Sequence, residues 1–255
     1  MKITILGSGT SQGIPVIGCS CPVCRSTDPR DQRLRVSVHL AHEEGYNVVI
    51  DAGPDFRQQM LRAQVIDLDA ILLTHEHNDH IIGLDDVRPF NFKRGGAMPI
   101  FCSARVAGEL QQRFPYAFAA NPYPGAPSFD LQTVTPQTTF TCGPFTVQPV
   151  AYLHGDLPVL GYRIGGFAYL TDIKTIGAAE IEKVKGVDIL VISALHHELH
   201  HSHANLAEAL ALIEIIQPTQ AYLTHLSHRM GCHAAVEALL PVGVKVAYDG
   251  LVCRV

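Results

Sequence analysis

The seven residues THEHNDH at 74–80 constrain this chain more than any other stretch. His75, His77, Asp79 and His80 form H-x-H-x-D-H directly after the apolar run AILLT. Side chains that leave a sheet at the end of a buried strand sit where loops are free to carry chemistry on a rigid base. Four donors at that point fan toward two adjacent places, and imidazole with carboxylate suits borderline-hard divalent ions. The plain alternative is a surface-loop histidine cluster. Four donors in six residues behind a strand-like run weigh against it. Asp51, His154, Asp172 and His225 also each close an apolar run, and core packing alone does not explain five such endings.

Around these positions short β-rich runs alternate with helical patterns. KITIL, YNVVIDAG, AILLTH, PIFCS, FTVQPVAYL, FAYLTD, DILVIS, AYLTH and VKVAYDGLVCRV read as strands. Helical periodicity fits 55–64, 79–93, 104–114, 178–185, 205–216 and 232–240. The prolines and glycine of 121–128 predict an irregular loop, and no repeat interrupts the chain. Strands early and strand–helix alternation later predict an α/β fold of two sheets covered outside by helices, formed by residues 1–255 as one domain.

Composition removes some functions. With 19 basic against 24 acidic residues and a net charge of −5, no phosphate-polymer footprint is written here. A dedicated nucleic-acid binder is therefore not expected, whereas a small phosphorylated substrate needs only a local site. No run reaches the roughly 18 apolar residues of a membrane span, and MKITILGSGT lacks the features of a signal peptide. A cytoplasmic protein is the expectation.

Cys19, Cys21 and Cys24 form C-x-C-x-x-C, three of the chain's seven cysteines. Inside a cell such crowding favours metal over disulfides, although three thiolates lack the fourth ligand of a closed tetrahedral zinc site and redox thiols stay open. Cys102, Cys142, Cys232 and Cys253 lie in apolar contexts and read as buried thiols. In HHELHHSHANLAEAL, Asn205 and Glu208 predict a capping box opening a helix, with His203 just before it. A helix N-terminus nearby favours a phosphate oxyanion. The glycine turn GSGTSQG at 7–13 is either a plain turn or a lining of backbone N–H groups, and Arg88 is read as an ion-pair partner of Asp85 or Asp86 rather than a phosphate ligand.

The ordered set H-x-H-x-D-H, then His154, Asp172 and His225, resembles the metallo-β-lactamase superfamily over nearly the whole chain. The resemblance implies an αββα four-layer sandwich. It assigns His75, His77 and His154 to one catalytic metal and Asp79, His80 and His225 to a second, with Asp172 bridging. Between ions roughly 3.5–4 Å apart, a hydroxide would be a ready nucleophile. Mn²⁺ and Zn²⁺ both suit such a donor set. The zinc lactamases carry a cysteine where Asp172 stands, so lactam hydrolysis is not expected. The cysteine triplet resembles the phosphoribosyl cyclic phosphodiesterase family of the carbon–phosphorus lyase pathway. That likeness implies a structural zinc completed by His228 and gives His203 the role of general acid. His196, His197, His200 and His201 are left as loop residues, substrate contacts at most.

These features point to a phosphodiesterase for a small cyclic or activated diester, with Asp79 and Asp172 as ligands at the reacting centre. A homodimer is compatible with it. Transfer-RNA 3′-processing endonucleases share the histidine and aspartate set but carry a long arm between the positions of His154 and Asp172, where this chain has only GDLPVLGYRIGGFAYLT. Glyoxalase-type thioester hydrolases share the ligands and are not rejected by the motif. A non-catalytic zinc-stabilised binding protein is disfavoured because all seven ligand positions are filled.

Overall fold

A computed structural model describes residues 1–255. Its strands are β1 (Lys2–Gly7), β2 (Ser37–Ala41), β3 (Asn47–Ile50), β4 (Ala70–Leu72), β5 (Met98–Cys102), β6 (Phe129–Thr133), β7 (Phe140–Cys142), β8 (Phe145–His154), β9 (Leu157–Ile164), β10 (Phe167–Leu170), β11 (Thr175–Ile176), β12 (Ile189–Ser193), β13 (Gln220–Thr224), β14 (Val244–Val246) and β15 (Val252–Arg254). The helices are α1 (Phe56–Ala63), α2 (Asn78–Ile81), α3 (Arg88–Arg94), α4 (Ala104–Arg113), α5 (Ala178–Val184), α6 (Leu206–Ile216) and α7 (His233–Glu237). One sheet runs β15-β1-β2-β3-β4-β5-β6, and the other runs β11-β8-β9-β10-β12-β13-β14 with β7 beside β8. Both sheets are mixed. The pairs β3–β4, β4–β5, β10–β12 and β12–β13 are parallel, so their C-terminal ends open at one edge.

Side-chain alternation separates three apolar layers. Ala70 and Leu72 of β4 join Ile189 and Val191 of β12 in the core between the sheets. Ile71 and Leu73 face the other way, onto Phe56, Ile81 and Val106 of the outer helices. Leu190 and Ile192 face Ile181, Ala209 and Val236 on the far side. This is the expected αββα sandwich. Each fully buried Leu or Ile contributes about 1.5–3 kcal/mol, so the sheets hold the loops at their ends firmly.

Several element boundaries differ from the sequence expectations. The helix expected over 79–93 is broken into α2, a 3-10 segment Ile82–Val87 and α3. Pro89 cannot sit in a helix interior but fits a first turn, so a new helix starts at Arg88. Gly83 packs so closely that a Cβ there would lie 1.9 Å from the Gly53 carbonyl oxygen. The run VKVAYDGLVCRV is two strands in different sheets, because the chain turns through Asp249 and Gly250. β2, β6, β7 and β11 are strands the sequence reading does not predict, and the helix over 232–240 shortens to α7. Cys102 and Cys142 are buried as expected. Cys232, at the start of α7, and Cys253, on an edge strand, are only partly so. No helix is long and apolar enough to cross a membrane.

Candidate metal centre

The strand-end residues converge. His75 and His77 follow β4, Asp79 and His80 lie on α2, His154 ends β8, Asp172 follows β10 and His225 follows β13. Donor atoms of His75, His77, His154 and Asp172 lie within 4.8 Å of one another, as do those of Asp79, His80, Asp172 and His225. Asp172 belongs to both groups. Its Oδ2 is 3.8 Å from His75 Nε2, 3.6 Å from His80 Nε2 and 3.9 Å from His154 Nε2, and its Oδ1 is 3.1 Å from His225 Nε2. Donors sharing a tetrahedral ion at ~2.1 Å would stand about 3.4 Å apart. The Nε2 atoms of His80 and His225 are buried without a hydrogen-bond partner, and His75 Nε2 faces His77 Nδ1 at 3.0 Å. Inward-facing ring nitrogens grouped around two carboxylates fit a pair of cations.

The outer nitrogens are spoken for. His80 Nδ1 donates to Asp51 Oδ2 at 2.7 Å, and His154 Nδ1 donates to the Ser202 carbonyl at 2.6 Å. Thr74 Oγ1 lies 3.0 Å from His75 Nδ1 and also bonds Asp51, while Thr171 Oγ1 donates to Asp172 at 2.7 Å. Such contacts fix tautomer and ring angle, leaving Nε2 to point inward. Tyr162 and Tyr152 hydroxyls donate to the Leu73 and Thr171 carbonyls, each at 2.6 Å, tying down the chain that carries His75 and Asp172. Asp51→Asn is expected to weaken divalent-metal affinity about 10–100-fold at unchanged fold, measured by competition with a chelating dye. Unaltered affinity would remove Asp51 from the site.

Backbone strain collects here too. Asp51, Asp172 and His225 have φ of 63°, 58° and 55°, in the left-handed region. Such residues cost on the order of 1–3 kcal/mol each and persist where the surroundings impose them. Gly53 permits the close seating of α2, since a Cβ there would lie 2.0 Å from the Asp79 carbonyl oxygen.

Charge favours cations as well. Burial pushes the Asp172 carboxyl up, but the His225 and His80 imidazoles beside it more than offset this and hold it well below the usual range. Asp79 is likewise held down against burial by His80 and His225. Two ionised carboxylates in a buried cluster require positive partners.

His203 sits at the rim, its Nδ1 4.0 Å from Asp172 Oδ2 and its ring 4.2 Å from that of His154 and 4.9 Å from that of His225. Burial, followed by the His225 imidazole, pushes it down to about 2, so it is neutral at ordinary pH. The capping box of Asn205 and Glu208 is present at the start of α6. His203 lines a polar cavity of about 330 Å³ with Thr10, Gln12, His196, His200 and Arg229. On the other side, His77 and His154 open into a cavity of about 620 Å³ with Asp156, Lys174 and His201. His197 is engaged elsewhere, its Nε2–H donating to the Met230 carbonyl at 2.8 Å, and Arg88 pairs with Asp85 at 2.6 Å.

The cysteine triplet forms a second centre. The Sγ atoms of Cys19, Cys21 and Cys24 lie 3.2, 3.4 and 3.6 Å from His228 Nδ1. Three sulfurs around one imidazole nitrogen match a closed four-ligand zinc site. Only Ile14, Val23 and Cys24 form the buried apolar cluster of this loop. His225 and His228 share one turn, so the two centres are three residues apart along the chain.

Asp51, Thr74, Thr171, Lys174 and Arg229 have no role assignable from the sequence alone. A signal for the threonines was present: L-T-H, L-T-D and L-T-H occur at 73–75, 170–172 and 223–225. Asp51 stands out in the sequence only as a strand ending.

Comparison with known proteins agrees with this fold. A family model described as a beta-lactamase superfamily domain matches residues 46–226. A crystal structure described as a new diphosphatase from the PhnP family superposes with a TM-score of 0.92 at 40% identity, covering 99% of this chain and 96% of that one. An octanoyltransferase of Porphyromonas gingivalis is 42% identical over 252 residues, 98% of this chain but 51% of that protein. A coenzyme PQQ synthesis protein B of Xanthomonas euvesicatoria is 30% identical over 192 residues, 69% of this chain and 60% of that protein. This chain thus spans less than two thirds of the length of these curated relatives, 51% and 60% of the two named. By the model covering most of its length and the near-complete likeness to a 40%-identical member, the chain belongs to the beta-lactamase superfamily and, within it, to the PhnP family.

Proposed function

We propose that the chain is a metal-dependent phosphoric diester hydrolase acting on a small diester, cyclic or activated. The observation that carries this is Asp172, one carboxylate common to two donor groups with His203 4.0 Å from it. The PhnP-family relationship supports the same class, since its structural relative is described as a diphosphatase. Octanoyl transfer is named for a protein of which this chain spans 51%, and it stays with that whole protein.

In this reading His75, His77 and His154 hold one divalent ion, Asp79, His80 and His225 a second, with Asp172 common to both and Mn²⁺ or Zn²⁺ the ions. Bound there, the pair would supply positive charge to the phosphoryl oxygens and make water acidic enough to attack at neutral pH. The chain's own groups do the rest. Asp79, also 3.7 Å from His225 Nε2, orients the attacking water. The water oxygen gives up a proton to solvent and bonds to phosphorus, the bond to the leaving oxygen breaks with its electron pair staying on that oxygen, and His203, once protonated from solvent, gives that oxygen a proton. An imidazole held neutral by burial takes up this proton when an anionic phosphate lies against it, because a neighbouring negative charge favours the cation. Cys19, Cys21, Cys24 and His228 hold a structural zinc that keeps residues 10–31 against the mouth.

The substrate is a small molecule rather than a nucleic acid. Between His154 and Asp172 the chain forms only β9, β10 and their turns, with no arm to grip an RNA. A panel of phosphoribosyl cyclic phosphate, a 2′,3′-cyclic nucleotide, precursor transfer RNA and a thioester, each with defined metals, tests this. Hydrolysis of a small diester is expected. Turnover of the thioester alone would overturn it. His203→Ala should lower kcat/KM about 10²–10⁴-fold for esters with poor leaving groups and far less for nitrophenyl esters, at unchanged metal content. Equal losses on both would remove the acid role.

A further inference from the structure

We infer that Lys174 and Glu208 are positioning residues for proton delivery: their ion pair closes a ring of chain that holds His203 at a fixed place relative to Asp172. This rests on the diesterase reading above, which gives His203 the leaving-group proton, and adds what aims that imidazole.

His203 does not hold itself in place. It makes no backbone–backbone hydrogen bond, and its buried Nδ1 has no partner. Its ring faces other imidazoles, those of His154, His225 and His200, with centroids 4.2, 4.9 and 5.1 Å away. Ring contacts fix an angle less sharply than a hydrogen bond does. The aim of His203 is therefore inherited from the chain on either side of it.

Both flanks are pinned to strand ends that carry metal ligands. Upstream, the Ser202 carbonyl accepts from His154 Nδ1 at 2.6 Å. Downstream, the Ala204 N–H donates to the Ile173 carbonyl at 2.7 Å. Asn205 then caps α6: its side-chain oxygen accepts from the Glu208 N–H, and Glu208 Oε2 accepts from the Asn205 N–H, each at 2.9 Å. The same carboxylate accepts from Lys174 Nζ at 2.7 and 2.9 Å. Lys174 stands two residues beyond Asp172, and its own N–H donates to the Leu153 carbonyl, next to His154, at 2.8 Å. The ring thus runs from Asp172 through Lys174, Glu208 and Asn205 to His203, and it is closed by two side chains.

That closing link is built to be firm. Burial pushes the Glu208 carboxyl up, but Lys174 and the Asn205 N–H outweigh it and hold the carboxyl below its usual range. The two side chains are 18% and 36% exposed, so solvent screens them less than a fully exposed pair. A hydrogen bond between ionised partners is shorter and stronger than a neutral one. Lys174 also lines the cavity of about 620 Å³, yet its ammonium is turned to both oxygens of Glu208.

Glu208→Gln cuts the ion pair and spares the helix cap, because Gln at that position also closes a capping box. Lys174→Met removes the ammonium and keeps most of the stem. Both single variants, the double variant and Lys174→Arg are assayed as metal-loaded full chains on an alkyl and a nitrophenyl diester of one nucleoside phosphate. For each, kcat and KM are determined separately, with Tm and metal content alongside. On the alkyl ester kcat should fall about tenfold or more in each single variant, because a slightly misplaced proton donor loses much of its effect. The nitrophenyl ester, which departs without a proton, should slow by less than about threefold, at unchanged KM and metal content. Each substitution cuts the same link, so the double variant should fall no further than the singles, and Lys174→Arg should keep most of the rate. Glu208→Gln carries the test if Lys174→Met does not fold. Equal losses on the two esters would make the pair a purely structural clamp, and an unchanged alkyl rate would make it idle; either result overturns the assignment. A raised KM in Lys174→Met that Glu208→Gln does not share also overturns it, making Lys174 a substrate contact. Failure of the unsubstituted enzyme to hydrolyse either ester is a different result, which removes the diesterase reading and this inference with it.

Discussion

Asp172→Ala should abolish phosphodiester hydrolysis, with kcat/KM down by more than about 10³-fold, and should lower the content of catalytic metal. The size of the effect follows from the position of that carboxylate. It lies within 4 Å of inward-facing nitrogens of His75, His80, His154, His203 and His225. Alanine leaves those imidazoles facing one another with one anion fewer, so cations in both groups lose a ligand together. Loss of a single electrostatic stabiliser at a reacting centre already costs about 10²–10³-fold, and in the proposed arrangement two ions would depend on one group. Asp172→Asn separates shape from charge. It keeps the volume and the contact with Thr171, and it should recover little activity. Retention of activity in either variant would show that Asp172 is not shared by the two ions.

Cys21→Ser should act on stability first. The loop containing the triplet has no regular element beyond the 3-10 turn Pro29–Asp31, and its own apolar cluster has three buried members. Burial on that scale cannot order a segment of about twenty residues, so the four-ligand centre carries the load. Structural zinc contributes about 10–16 kcal/mol in small finger peptides, and a ligand set reduced to three keeps only part of its share. If about 3 kcal/mol is lost, Tm falls by roughly 6–12 °C. Activity should decline more gently, through the turn joining His228 to His225 and through Thr10 and Gln12 at the cavity wall. Full thermal stability with one zinc fewer would refute the structural role. Unchanged zinc content would place the metal elsewhere.

The candidate site was more legible in the sequence than the fold that builds it. His75, His77, Asp79 and His80 are local, so their spacing alone set them on one strand end. His154, Asp172 and His225 were identifiable because each terminates an apolar run, and parallel pairing brings such endings to one edge. His228 could not be found from C-x-C-x-x-C itself. It lies 204 residues beyond Cys24, and only family resemblance joined them. Asp51 escaped because its partner, His80, is set by a contact across β3 and α2 that no local pattern encodes. The break in the helix over 79–93 depends on Gly53 and Gly83 meeting backbone to backbone, again a long-range event. The last strand pair was misread because Asp249 looks like an ordinary polar residue within a β-rich run. In the fold it is a buried turn group accepting from Ser8 and Leu34. Arg229 carries no sequence signal at all; its place beside His203 exists only after folding.

Metal content per chain tests the central claim most directly. The protein is purified without chelator, equilibrated with Mn²⁺ and Zn²⁺, freed of excess, and its metals counted against protein concentration. Two catalytic ions and one structural zinc predict about three metals per chain, with the Cys-bound zinc the slowest to leave under chelation. Phosphodiesterase activity should vanish with the two faster ions while the fold persists. A single tightly held zinc per chain, with no further uptake and no metal-dependent hydrolysis, would contradict the account and leave a zinc-stabilised binding protein in its place.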